Sequence, residues 1–385
     1  MEDPLRPWRR RFRVWQNDRR LARENDVYTR LFQQQGLAVP DDDTIRETVS
    51  GRFPHLIPKP KGSLRTLAIY HSYNWEDTAL KPALERFGPV VRYDWMNDFR
   101  PGSTSWHRSL RQDMNRHLLR FVDTLARGQG FHWIFTYLSG EQTTPETMAA
   151  LCRFSVPVIN LSLNDKENFV GKIRGGQALG VRDICRPVTL NWTSTGDALK
   201  KYCVEGALPL YLPEGANPDI HRPLDLEKTL DVSFVGQRYG NREETIDFLR
   251  QSGIRAEAYG AGWPNGPLTT EEMVRLYAKS RINLGFGGVS GHRDTYCLKG
   301  RDFEVPMSGG LYVTEYHPEL AGCYELGKEI VVYEGLEDLR EKIRDLLAHP
   351  EKAEAIRRRG LERARREHTW EMRFEKVLGL VGLLA

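Results

Sequence analysis

The sequence predicts an α/β protein made of two Rossmann-like domains with parallel sheets, preceded by a basic helical extension. Three observations predict it. Short β-branched and aromatic runs alternate with segments of helical periodicity along most of the chain. That alternation breaks once, at LPEGANPDIHRPLDLEK (212–228), where prolines, a glycine and short polar residues interrupt it. A length of 385 residues exceeds one ordinary core and suits two domains of roughly 150 to 200 residues each.

Composition narrows the class. With 40% hydrophobic and 28% charged residues the chain reads as a folded globular protein. A net charge of +4 gives no case for nucleic acid as a partner. The five cysteines are scattered and form no CxxC pair, which argues against a zinc or redox motif and for reduced thiols. The N-terminus lacks the apolar core of a secretory signal, and the longest apolar stretch, Val377 to Ala385, falls far short of the roughly 20 residues that cross a bilayer, so a cytoplasmic protein is expected.

Residues 6–34 place Trp8, Phe12, Trp15, Leu21 and Leu31 among arginines at helical spacing, predicting a basic amphipathic helix. Residues 1–35 hold nine Arg against five Asp and Glu, a surplus equal to that of the whole chain. Such a helix either packs by its aromatic face or makes a weak contact with an acidic surface. Asp41, Asp42 and Asp43 before Thr44 read as a solvated helix N-terminus rather than a metal site. In the first domain, strands are expected at 65–71, 90–93, 132–137, 156–161, 187–192 and 208–211, with helices near 77–87, 106–126, 145 onward and 195–203. In the second, strands are expected at 232–235, 255–259, 281–284, 311–314 and 330–333, with helices at 243–251, 270–278, after Lys299 and from Leu336 onward. The implied boundaries are an extension and loop over 1–63, domains over 64–212 and 213–370, and a terminal helix over 371–385.

Ligands of open α/β sheets bind beyond the carboxyl ends of the strands, so the loops there carry the functional signal. In the loop from Gly236 to Arg242 a glycine would let backbone approach a phosphate, with Arg238 or Arg242 to neutralise it. The loop is neither GxGxxG nor GxxxxGK[ST]. Tyr259, Gly260, Ala261, Gly262 and Trp263 either leave room for a flat base or make a tight strand-to-helix turn. The glycine-rich loop 285–292 reads as mobile. The densest signal is KGRDFEVPMSGGLYVTE (299–315): two cations, Lys299 and Arg301, precede Glu304 at the head of a short helix that stops at Gly309 and Gly310. Arg forks onto phosphate oxygens, a helix N-terminus offers free N–H groups, and a carboxylate one turn later accepts from two ribose hydroxyls. The alternative is an ordinary i,i+3 Arg301–Glu304 ion pair on a surface helix. In the first domain His71 and Asp165, each after a strand, are the candidates to deprotonate an acceptor.

FVGQR (234–238), YGAGW (259–263), KSRINLGF (279–286), KGRDFEVPMSGG (299–310), the run 327–360 and HTWEMRF (368–374) resemble the CgeB-type, spore maturation protein-like, glycosyltransferase family, itself similar to the broader GT-B glycosyltransferases. The resemblance covers about 160 residues of the second half; VPVINLSLND (156–165) and YLPEGANPDIHRP (211–223) extend it loosely into the first. It implies a GT-B fold with two facing domains, the second binding a nucleotide-diphosphate sugar, with UDP as the expected nucleotide, the first binding a glycan, protein or small-molecule acceptor, and no metal. By the same resemblance Glu304 is the ribose ligand, and Lys299, Arg238 and Arg301 are the diphosphate partners, with Gly236, Tyr259, Gly260 and Gly309 as further nucleotide-sugar contacts. Many retaining relatives carry a second Glu eight positions before this acid, where this chain has Tyr296, so anomeric retention is not implied. Alternatives are a sugar-nucleotide epimerase or hydrolase on the same fold, or a non-catalytic glycan- or partner-binding protein.

Overall fold

The computed structural model describes residues 6–102 and 104–385, except for the side chains of residues 6–8 and 10. By internal contacts the chain divides into two units: residues 24–213 with 373–385, and the chain up to Arg23 with residues 214–372.

The first unit begins inside helix α1 (Arg6–Gln34), followed by α2 (Asp42–Arg52). Asp41 caps α2 by accepting from the Thr44 backbone N–H at 2.8 Å, which is the structural role of the aspartate run. Then come β1 (Thr66–Ile69), α3 (Glu76–Glu85), β2 (Val90–Tyr93), α4 (Arg111–Arg127), β3 (Trp133–Thr136), α5 (Pro145–Leu151), β4 (Val158–Ser162), α6 (Asp165–Asn168), the hairpin β5 (Ile173–Arg174) and β6 (Gln177–Ala178), β7 (Leu190–Thr193), α7 (Leu199–Val204) and β8 (Pro209–Tyr211). Thr144 caps α5 and Pro145 opens it, a start that needs no backbone N–H. The six-stranded sheet has the order β2-β1-β3-β4-β7-β8, and its strands pair in parallel. Strands β1, β3, β4 and β7 are buried along their whole length, as expected of a sheet covered on both faces.

The second half of α1 and the C-terminal residues from Arg373 belong to this unit. Tyr28 donates to Glu205 at 2.5 Å and Lys201 to Glu24 at 2.7 Å, fixing the second half of α1. Phe374 inserts among Phe135, Trp133 and Trp192 at ring-centroid distances of 5.4, 6.5 and 5.3 Å. The strands end within a residue or two of expectation. The short α6 and the β5–β6 hairpin are elements the sequence reading left as loop.

The second unit runs β9 (Leu230–Val235), α8 (Arg242–Gln251), β10 (Ala256–Tyr259), α9 (Thr270–Lys279), β11 (Ser280–Gly285), α10 (Gly300–Met307), β12 (Tyr312–Glu315), β13 (Val331–Tyr333), α11 (Leu336–Ala348), α12 (Pro350–Glu367) and the start of α13 (Trp370–Leu380). Its five strands lie in the order β10-β9-β11-β12-β13, again paired in parallel. Thr269 and Glu272 close a reciprocal capping box at the start of α9. In each sheet the strand order reverses beside the first strand, between β1 and β3 and between β9 and β11. Loops diverge at that point and leave a crevice at the carboxyl ends.

Candidate functional site

In the second unit the crevice is built by the turn after β9, the turn after β10 and the N-terminus of α10. Two glycines let the turns touch. A Cβ on Gly260, whose φ is +126°, would lie 2.4 Å from the Gly236 carbonyl oxygen, and a Cβ on Gly236 would lie 2.9 Å from Arg301 Nη1. The Gly236 N–H donates to the Tyr259 carbonyl at 2.8 Å, and Trp263 Nε1 donates to the Gly236 carbonyl at 2.9 Å. Backbone and guanidinium are thereby pressed together where a phosphate would be bound.

Arg301 stands in the first turn of α10 with its guanidinium 5.2 Å from the Phe234 ring centroid. Its Nε and Nη2 are buried and have no hydrogen-bond partner among the described residues. The Arg301–Glu304 ion pair that a surface helix would form is absent among the described residues. The acid that serves α10 is Asp302, which accepts from the Lys299 N–H at 2.7 Å and from the Tyr312 hydroxyl at 2.6 Å. Lys299 itself reaches back, Nζ donating to Cys297 Sγ at 2.8 Å. Buried cationic nitrogens without partners are expensive unless a ligand completes them, so this corner is shaped for an anion.

The other arginines differ. Arg238, an expected phosphate partner, is half-exposed and already ion-paired with Glu243, with Nη1 also donating to the Gly262 carbonyl at 3.2 Å. Arg242 is buried, stacks on Tyr239 at 3.7 Å and donates to the Gln237 carbonyl and the Tyr239 hydroxyl, both at 2.7 Å. Burial, reinforced by Arg301, pulls its pKa down to about 10. Arg242 braces the loop. Tyr259 donates to Glu257 at 2.6 Å. Gly309 lies at the far end of α10, where its φ of +69° ends the helix and its carbonyl accepts from Arg357 at 2.9 Å. It serves the turn rather than the anion corner.

Glu304, mostly shielded, faces two groups from the 212–228 segment. A Cβ on Gly300 would meet Glu304 Oε1 at 3.1 Å and Glu214 Oε2 at 3.5 Å, so both carboxylates abut one spot. Burial first, and then the Glu304 charge, push the Glu214 carboxyl up to about 8. His221 Nε2 lies 3.9 Å from Glu304 Oε1. Beyond the helix, Tyr296 stacks on His317 with the rings 11° apart, and Glu315 accepts from Asn241 at 3.2 Å while its Oε2 is buried with no partner among the described residues.

The first unit carries a cavity of about 450 Å³ at its own reversal point, lined by Tyr73, Trp95, Tyr137, Gln142, Asn164 and Lys172 among others. His71 lies beside it: its ring packs on Tyr73 and Trp95 with centroids 4.6 and 6.0 Å away. Its Nδ1 is 2.9 Å from Asp94 Oδ1. Asp94 also accepts from Arg92 at 3.1 Å and from the Met96 N–H at 3.0 Å, so it is the acceptor, and it holds the ring in the tautomer that carries Nδ1–H and leaves Nε2 as a base. Asp165 does not face the cavity. It is buried, with Oδ2 accepting from Tyr202 at 2.7 Å and Oδ1 from Thr195 at 3.2 Å, and burial pushes its pKa up to about 6. It fixes the turn that presents Asn164.

Sequence reasoning missed Asp94, Glu214, His221 and Glu315. Asp94 follows β2 and Glu315 ends β12, so the strand-end rule that singled out His71 reaches both. Glu214 and His221 sat in a segment read as a break and as part of a loose family resemblance, with no residue in it given a role.

Residues 238–379 match a family model described as glycosyl transferase-like. No curated protein matches. Among solved structures, sucrose-phosphate synthase from Thermosynechococcus elongatus superposes with a TM-score of 0.57 at 11% identity, covering 82% of this chain and 98% of its own. Anabaena Alr3699/HepE, solved with UDP-glucose, gives 0.55 at 12% identity over 82% and 99%. A glycosyltransferase from Rickettsia africae gives 0.56 at 9% identity over 84% and 98%. At such identities the likeness is one of fold: the chain has the GT-B fold of the glycosyltransferases, with a glycosyl transferase-like match over residues 238–379.

Proposed function

We propose that the protein is a glycosyltransferase that moves a sugar from a UDP-linked donor to a hydroxyl acceptor. One observation carries the reading: Arg301, packed against the Gly236 turn at a helix N-terminus with two buried nitrogens that have no partner among the described residues, beside an acid one turn along. The family match over this segment and the UDP-sugar bound by the Anabaena structure support the nucleotide.

In this reading Arg301, Lys299 and the Gly236 and α10 backbone take the charge that develops on the departing diphosphate, and Glu304 accepts from the ribose hydroxyls. The acceptor occupies the cavity of the first unit, where His71 takes the hydroxyl proton and Asp94 steadies the ring. Two fixed cations, Lys299 and Arg301, manage the diphosphate charge, and in this reading the reaction runs without a metal; activity that survives a chelator tests this. We place the chain in the CgeB-type branch and in the cytoplasm; no described helix is long and apolar enough to cross a membrane. The arginine-rich face of α1 makes at most a weak contact with an acidic surface.

The test is incubation with a panel of UDP-, GDP-, TDP- and CMP-sugars, with and without candidate acceptors. The reading requires UDP release that depends on acceptor. Rapid release or isomerisation without acceptor would contradict it.

A further inference from the structure

Glu304 is not alone in its crevice. Glu214 shares with it the space above Gly300, and His221 approaches its Oε1 from a buried position, 2% exposed. The ring of His221 has its Nδ1 accepting from the Asn217 N–H at 3.4 Å, so the proton of the neutral ring is on Nε2. Burial lowers the pKa of this ring and keeps it neutral. Its Nε2 is buried, has no hydrogen-bond partner among the described residues, and lies 3.9 Å from the carboxylate, a small side-chain rotation from bonding distance.

Two ionised carboxylates at Gly300 would repel each other, whereas a neutral Glu214 has a proton to give. The groups around the pair are Lys299, Arg301 and Asp302 on α10, Tyr277 on α9 and His221, with the Cys297 thiol behind Lys299. The lysine and arginine favour ionisation of Glu214 and the two acids oppose it; burial adds to the acids, and the carboxyl is held neutral up to about pH 8.

We infer that Glu214 and His221 are positioning residues that hold the Glu304 carboxylate as two uncharged hydrogen-bond donors, so that its remaining lone pairs meet the vicinal hydroxyls of a ribose. The inference rests on the reading of Glu304 as the ribose acid. It makes diol recognition a property of three residues, two of them outside α10, and it makes that recognition depend on one proton.

The experiment is calorimetric titration of the full chain with UDP and with 2′,3′-dideoxy-UDP, from pH 7 to 9.5, for wild type, Glu214→Gln and His221→Phe. Wild type should lose UDP affinity above about pH 8 by about tenfold per pH unit, the signature of one linked proton. Glu214→Gln, which keeps a neutral donor but has no proton to lose, should show a flat profile over the same range. His221→Phe should weaken UDP by about tenfold while leaving dideoxy-UDP unchanged, a split that general damage to the fold would not produce. A Glu214→Gln profile that follows wild type, or equal losses for both nucleotides in His221→Phe, overturns the inference while the donor reading stands. Wild type that takes up no UDP at any pH overturns the donor reading and this inference together.

Discussion

The two sheets handle buried charge in opposite ways. In the first unit Asp165 is enclosed by its own neighbours, with Tyr202 and Thr195 on its two oxygens. In the second, Arg301 Nε and Nη2 are buried, yet neither has a partner among the described residues. An acid after β4 and an arginine at the head of α10 thus serve different ends. A buried charge closed by the protein is structure; one left open is a place prepared for a ligand.

Substitutions at four positions break or sharpen this contrast. His71→Ala has the largest expected effect: it removes the base beside the first unit's cavity, and acceptor-dependent UDP release should fall by about a hundredfold or more with UDP affinity unchanged. Asp165→Ala leaves Tyr202 and Thr195 unsatisfied and should cost about 3 kcal/mol of unfolding free energy in a denaturant titration, again without touching UDP affinity. The sign of its pH dependence follows from burial. The folded-state pKa is raised to about 6, so the stabilising contribution of the protonated acid is complete below the ordinary carboxylate range and is lost as pH rises through about 6. Asp165→Asn should flatten that loss. Arg301→Met exchanges an open charge for an apolar chain of similar reach and should do the reverse: UDP binding weakens by about 2 kcal/mol while stability holds or rises. Arg238→Ala is the smallest, below about 1 kcal/mol on UDP affinity, because its half-exposed guanidinium is already paired with Glu243.

The strand–helix order was legible because parallel strands buried on both faces read as continuous apolar runs, and β1, β3, β4 and β7 do so. The clamp was legible for a local reason: Lys299, Arg301 and Glu304 are neighbours along one helix. What escaped was whatever depends on distance across the fold. Asp94 finds His71 from the next strand, and Glu214 and His221 reach Glu304 from a segment that looks like mere punctuation. The reading of Asp165 failed for the same reason, since its partners Thr195 and Tyr202 lie 30 and 37 residues away. The sequence shows which residues follow strands, but not which way their side chains turn.

The central claim is that the open charge at Arg301 is a nucleotide-diphosphate site. Titrating UDP into wild type and Arg301→Met under one buffer tests it most directly. The account predicts saturable heat at one site in wild type and a loss of about tenfold or more in affinity in the variant, with no loss of thermal stability. Equal affinity in the two proteins, or no heat in either, would contradict it.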